Sequence, residues 1–145
     1  MAPSDPEPGS VPVDAVRAMQ RLLREQGPRA DALAVVRAHV AAVQCGDPQL
    51  MAADYAPGAR ITRGSTVVDP QSYFLTVVQR LGASRLVVLS LELAIATPVA
   101  AAGHVVTMCW RLDGGQAHGT SGTDTLQVQG DRIVGQQVEL HTPDF

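Results

Sequence analysis

Hydrophobic spacing along this chain changes period once, near residue 84. Before that point the apolar positions recur at helical intervals. Val13, Val16, Met19 and Leu23 predict an amphipathic helix over 13–26, closed by Gly27-Pro28, since Gly suits a left-handed cap and Pro cannot continue a helix. Leu33, Val36, Val40 and Val43 predict a second helix from about Arg29 to Gln44, stopped by Gly46. Asp47-Pro48 and Asp69-Pro70 each offer a capping carboxylate followed by Pro at the first helical position. They predict a short helix through Tyr55 and a longer one through about Leu81. Between them, Ala59 to Val68 reads as two short strands around Gly64-Ser65.

From Ser84 onward the period is two, that of a half-buried strand. Val87, Leu89, Leu91, Leu93 and Ile95 alternate, and His104 to Leu112 alternates again before the turn at Asp113-Gly114. Gln116 to Gln129 and Arg132 to His141 follow, separated by Gly130-Asp131. Gly119 and Gly122 inside the third strand predict a bend or bulge there. Helices first and a four-stranded antiparallel meander last predict an α+β domain, with helices on one face of a bent antiparallel or mixed sheet. The reading divides the chain into a Pro-rich, acidic and disordered tail over 1–12, an additional N-terminal helix over 13–27, and the main domain over 29–142.

Strand parity then selects the inward side chains. In the last strand Val134, Val138 and Leu140 mark the core face, with Gln136 the polar intruder. Val106, Met108, Trp110 and Leu112 mark it in the second, and Leu126 and Val128 in the third. Counting back by twos from Leu126 puts Asp124, Gly122, Thr120 and His118 on that face. A carboxylate among apolar neighbours is costly unless paired, hydrogen-bonded or neutralised, and desolvation raises its pKa. Asp124 is therefore either an acid–base group or a structural carboxylate tied to backbone amides or an Arg. His39 borders the stripe of its helix and is either a packed core residue or a group aimed into a cavity. Tyr55 either hydrogen-bonds into that space or packs beneath the sheet; Gln136 is an orienting group, and Met108, Trp110, Thr120 and Val138 are its walls. His118 falls near a turn.

Composition narrows the function classes. The 145 residues are 46% hydrophobic but only 3% aromatic, so Val, Leu, Ile and Ala must build the core. A net charge of −3 argues against nucleic acid or an anionic membrane as partner. No apolar run reaches the roughly 20 residues of a membrane span. Cys45 and Cys109 form neither a disulfide framework nor a metal-ligand pattern, and four scattered His lack any HExxH-like spacing. A reducing, cytoplasmic setting and a site without metal or cofactor are expected. All 11 basic residues are Arg, which with the abundant Ala and Gly suggests a GC-rich bacterial genome.

The order of several short segments resembles the nuclear transport factor 2-like superfamily, in particular its SnoaL-like branch. They are Val43-Gln44-Cys45-Gly46-Asp47, Asp54-Tyr55-Ala56-Pro57-Gly58-Ala59, the helix after Asp69, Gly122-Thr123-Asp124, and Gly130-Asp131-Arg132-Ile133. The resemblance runs from about Ala30 to Leu140. It implies a cone-shaped, cystatin-like sheet around a pocket, frequent dimerisation, and chemistry that ranges from ketosteroid isomerisation to cyclisation, dehydration and plain binding. By resemblance Asp124 matches an oxyanion-stabilising or acid–base carboxylate, and Arg63 lies at the pocket mouth, as an anion clamp or a solvated strand-edge charge. The isomerase's base would fall at Ile61-Thr62-Arg63, where no carboxylate stands, and its oxyanion tyrosine at about His39. The Arg-x-Asp pair of limonene-type epoxide hydrolases is formally present as Arg111-Leu112-Asp113, but Val138 stands where its partner Asp belongs. The expected function is acid–base chemistry on a largely apolar carbonyl compound, with Asp124 and His39 as the catalytic pair. The alternative is a non-catalytic binding or dimerisation module. A homodimer is expected through the outer sheet face, where Val105, Thr107, Cys109, Ser121, Thr123 and Thr125 are nearly free of charge apart from Arg111.

Overall fold

The computed structural model describes residues 11–95 and 103–142. Most of the 1–12 tail lies outside the described residues. Four helices, α1 (Val13–Gln26), α2 (Ala32–Cys45), α3 (Pro48–Ala52) and α4 (Pro70–Leu81), alternate at first with β1 (Tyr55–Arg63) and β2 (Thr66–Val68). Four strands then follow among the described residues: β3 (Arg85–Ile95), β4 (His104–Asp113), β5 (Ser121–Gln129) and β6 (Arg132–Leu140). They form one open six-stranded sheet in the order β2-β1-β6-β5-β4-β3. Only β1 and β6 run parallel; every other neighbouring pair is antiparallel. The α+β class and the curved mixed sheet are those the hydrophobic pattern predicts.

The capping chemistry works where the sequence places it. The Asp47 carboxylate accepts from the amides of Gln49 and Leu50, and that of Asp69 from Ser72. The second helix starts later than expected, because Asp31 caps it through Leu33 and Ala34 while Gly27–Arg29 forms a separate 3₁₀ turn. The short helix also stops earlier, at Ala52 rather than Tyr55. The Ile133 amide donates to the Asp54 carbonyl at 2.8 Å, and Tyr55 is in parallel register with Ile133, so β6 pulls this stretch into the sheet. Pairing with a strand nearly 80 residues away overrides the local helical signal.

Bulges correct the parity argument in two strands. In β3 the register slips between Val88 and Ser90. Leu86 and Val88 therefore share the core face with Leu112 and Trp110, whereas Val87 pairs opposite the outward Arg111 and Leu89 is 55% exposed. In β6 the register slips opposite Gln127 and Val128, leaving Val134 unpaired on that side. Ile133 is fully buried in its place, and Val134 is half-buried beside the outer-face groove. An inserted residue inverts parity only on one side of itself, so Gln136 and Val138 keep their inward orientation. The third strand is shorter than expected. It begins at Ser121, after a loop that turns at Gly119 with φ +88°.

The core lies between the inner sheet face and the helices, with Val16, Val35, Val36, Met51, Ile61, Val106, Leu126 and Ile133 almost wholly inaccessible. On the outer face Val105, Thr107, Cys109, Ser121, Thr123 and Thr125 are half-buried. Glu92 and Glu139 join them through their pairing with Thr107 and Thr123, so this face carries more charge than the odd positions of β4 and β5 suggest.

Gly122 faces the ring of Trp110, its cross-strand partner. A Cβ there would sit 2.7 Å from the indole Cζ2 and 2.8 Å from the Glu139 carbonyl. Gly122→Ala should cost about 1–3 kcal/mol through overpacking and displace the ring. Denaturant unfolding measures the first effect, and the emission of the chain's single Trp reports the second; an unchanged spectrum and midpoint would show that the two strands are not this close.

Candidate functional site

Asp124 sits mid-strand in β5, in register with Met108 on one side and Val138 on the other, and is 7% exposed. Two donors reach it from the neighbouring strands. Trp110 Nε1 donates to Oδ1 at 3.0 Å, and Gln136 Nε2 donates to Oδ2 at 2.8 Å. Both donors are two residues along from Asp124's register partners, the diagonal reach expected of long side chains on one face.

The hydrogen bonds continue across the domain. The Tyr55 hydroxyl donates to Gln136 Oε1, and His39 Nε2 lies 3.3 Å from the same hydroxyl oxygen. His39 Nδ1 is 3.3 Å from Asp54 Oδ2. Asp54, fully buried in the turn just before β1, also accepts from Gln20 Nε2 at 3.1 Å, and Arg24 Nη2 lies 3.7 Å from its Oδ1. Arg24 is anchored in turn on the Asp131 and Ala53 carbonyls and the Asp131 carboxylate. Asp124, Gln136, Tyr55, His39 and Asp54 thus form one buried chain, with an Arg at the far end half in water. The His39 ring packs edge-on against Tyr55 and Phe74, with centroids 5.2 Å apart in both cases.

A cavity of about 50 Å³ opens between α2, α4 and the sheet beside Asp124. Its polar wall is Asp124, Gln136 and His39; Val40, Phe74, Val77, Leu86 and Met108 supply much of the rest. Burial in this apolar wall pushes the Asp124 carboxyl from the ordinary 3.8 up to about 6, although Trp110, His39 and Gln136 all favour its charge. Burial likewise drives the Tyr55 hydroxyl well above 10, with Asp124 and Asp54 adding to the effect. Tyr73 on α4 shifts upward for the same two kinds of reason, desolvation and the Asp124 charge.

Of the residues singled out by sequence, Asp124, His39, Gln136, Met108 and Trp110 meet at the cavity. Tyr55 stands behind its wall as the link between His39 and Gln136. Arg63 belongs elsewhere. Its register with Val138 puts it on the helix side, but it lines a separate cleft of about 350 Å³ with Tyr73, Thr76 and Arg80. Thr120 is buried in the β4–β5 connection, its amide bonded to Ala117, away from the cavity wall. Val138 is buried beside Asp124 but does not line the cavity. His118 lies in that connection too, its Nδ1 accepting from the Gly114 amide. Asp113 pairs with Arg111 at 2.9 Å on the exposed turn. No group of three His, Cys, Asp or Glu side chains among the described residues could hold a metal ion.

Sequence reasoning assigned no role to Asp54, Gln20 or Arg24. A signal existed for Gln20: with Val16 and Leu23 it completes the buried stripe of α1, where Met19 is 37% exposed. Asp54 interrupts the small and apolar run from Leu50 to Ala56, as Asp124 interrupts its strand.

Folding raises the Asp124 pKa, so protonation favours the folded state. That contribution is complete below about pH 4 and is lost as the pH rises through 6. The unfolding free energy of the wild type relative to Asp124→Asn should therefore fall by on the order of 2–3 kcal/mol between pH 4 and 7. Urea titrations of both proteins across that range measure it, and a constant difference would mean the carboxyl is not desolvated.

The sequence matches no protein-family model and no curated protein. Solved structures do match. A nuclear transport factor 2-like protein of unknown function from Cytophaga hutchinsonii superposes with a TM-score of 0.58 at 7% identity, over 76% of this chain and 89% of that one. A candidate isomerase of the SnoaL-like family from Agrobacterium tumefaciens gives 0.55 at 17% identity, over 76% and 97%. A candidate ketosteroid isomerase from Shewanella frigidimarina gives 0.53 at 16% identity, over 86% and 97%. At such identities the likeness speaks for architecture and not for chemistry. This chain has the nuclear transport factor 2-like α+β fold that SnoaL-like proteins share.

Proposed function

We propose that the domain is a small, cofactor-free enzyme that moves protons on a largely apolar carbonyl compound, with Asp124 as the acid–base group. The observation that carries this reading is a carboxylate facing an apolar cavity with its pKa pushed to about 6. Such a group is mostly ionised at neutral pH, yet its conjugate acid is strong enough to return a proton at the next step. In the proposed reaction Asp124 takes a proton from the carbon beside the carbonyl. The C–H electrons move onto the carbonyl oxygen, and the carboxyl then delivers the proton to a different atom of the same molecule. The Gln136 amide, which keeps one N–H beyond the one on Asp124, would face the developing oxyanion, with His39 held behind it by Tyr55 and Asp54. Isomerisation, cyclisation and dehydration all share this first step.

One observation favours a second reading, that of a non-catalytic binding module. At about 50 Å³ the cavity is far below the roughly 300–1,000 Å³ of pockets enclosing drug-sized ligands. The closed form admits only a few heavy atoms, so a larger substrate would need α4 to move off the sheet. Deuterium uptake separates the two readings. Apolar ketones that bind should acquire deuterium beside the carbonyl in heavy water, and Asp124→Asn should slow that exchange about 10²–10⁴-fold while binding stays within about tenfold. Ligands that bind without exchange in the wild type would leave a binding module.

We also propose a homodimer through the outer sheet face, whose half-buried Val105, Thr107, Cys109 and Thr125 favour cover over solvation. Light scattering at micromolar concentration should give twice the 15.2 kDa chain mass; a monomer mass would exclude it.

A further inference from the structure

Hydrogen-bond direction along the buried chain limits which of its groups can carry protons. Trp110 Nε1–H can only donate, so Asp124 Oδ1 must accept. Any proton on Asp124 therefore sits on Oδ2, facing Gln136. In the observed arrangement the Gln136 amide nitrogen donates to that oxygen, which leaves Oδ2 bare. The amide oxygen then takes the Tyr55 hydroxyl proton. Having spent its one hydrogen, the Tyr55 oxygen can only accept from His39 Nε2. On the other side of the ring Asp54 also accepts, so Nδ1 must donate as well. Asp54 is held to that role by Gln20, which donates to its other oxygen, with the Arg24 guanidinium alongside. With Asp54 ionised beside Arg24, His39 protonated at both nitrogens, between two buried carboxylates, is the state that satisfies every contact.

Reversing the middle of the chain gives a second consistent arrangement. If Asp124 Oδ2 carries a proton, Gln136 must turn its oxygen toward it and its nitrogen toward Tyr55. The hydroxyl then donates to His39 Nε2, which must be bare, while Nδ1–H stays on Asp54. The proton count is the same in both: an N–H bond at His39 Nε2 in one replaces an O–H bond at Asp124 Oδ2 in the other. With neither bond present, two acceptors face each other somewhere along the buried chain, and such a mismatch costs the desolvation of a polar group.

We infer that Asp124 and His39 share a single proton through the direction of the Tyr55–Gln136 link, with Asp54 as the positioning residue that holds the imidazole end. The arrangement with the Gln136 nitrogen toward Asp124 is the one that corresponds to the proton on His39. The desolvated carboxyl on the opposite side makes the reversed state accessible. Tyr73 and Arg24 are the other ionisable groups nearby, the former sensing the Asp124 charge and the latter lying against Asp54. The inference does not depend on the chain being an enzyme, and it would stand if no substrate turned over.

Nitrogen-15 NMR of the imidazole rings tests it on the full chain. In the wild type at pH 7, both ring nitrogens of His39 should show protonated shifts, assigned by their loss in His39→Gln. In Asp124→Asn the side-chain amide takes the place of the protonated carboxyl and faces Gln136 with a donor. His39 should then become neutral, protonated at Nδ1 and bare at Nε2. Tyr55→Phe cuts the link, so adding Asp124→Asn to that background should leave His39 unchanged. Two results would overturn the inference: a bare Nε2 in the wild type, or an Asp124→Asn effect of equal size with Phe at 55, which would mean that charge acts through space. The wild-type spectrum decides the first point even if a variant fails to fold.

Discussion

The cost of burying a carboxylate organises the interior of this domain. Asp124 is surrounded by Met108, Val138 and the helix side chains that close the cavity, and an isolated charge there would be prohibitively expensive. It is tolerated because β4 and β6 each bring a neutral donor to one of its oxygens. Gln136, once committed to Asp124, needs a donor for its own carbonyl, and Tyr55 provides it. Tyr55 needs a partner in turn, and His39 and Asp54 follow from the same requirement. Every buried side-chain polar atom among the described residues has a partner, and Asp124, Gln136, Tyr55, His39, Asp54 and Gln20 form one connected network in which each member depends on the next.

That dependence explains why distant parts of the chain are needed together. The α1 helix, read from sequence as an addition to the domain, supplies Gln20 and Arg24 to Asp54, while β6 supplies both Gln136 and the strand that fixes Tyr55. A cavity walled by such a network is well suited to proton chemistry. Its ionisable groups sit at low dielectric, their geometry is set by several elements at once, and their protonation states are linked rather than independent.

How much of this was legible in the sequence varied with the range of the interaction that decides it. Helices and caps were readable because a capping Asp bonds amides two or three residues away. Strand parity identified Asp124 and Gln136 because alternation is local and no bulge intervenes between Asp124 and Leu126. The same argument misplaced Leu89 and Val134, where one inserted residue inverts the face. It also carried Thr120 and His118 inward along a strand that does not begin until Ser121. Arg63, placed at the pocket mouth by resemblance alone, lines a separate cleft, because its distance from the cavity depends on where α4 lies.

By itself, then, the sequence determined the element types, the α+β class and the presence of an inward carboxylate, since each depends on spacing over a few residues. Only the tertiary structure decided that Asp54 faces His39, that Gln20 reaches Asp54, and that Tyr55 joins the sheet rather than the helix before it. These contacts join residues 15 to 81 positions apart. No local pattern encodes them, because their partners are chosen by the need to satisfy buried polar groups once the sheet and helices have closed.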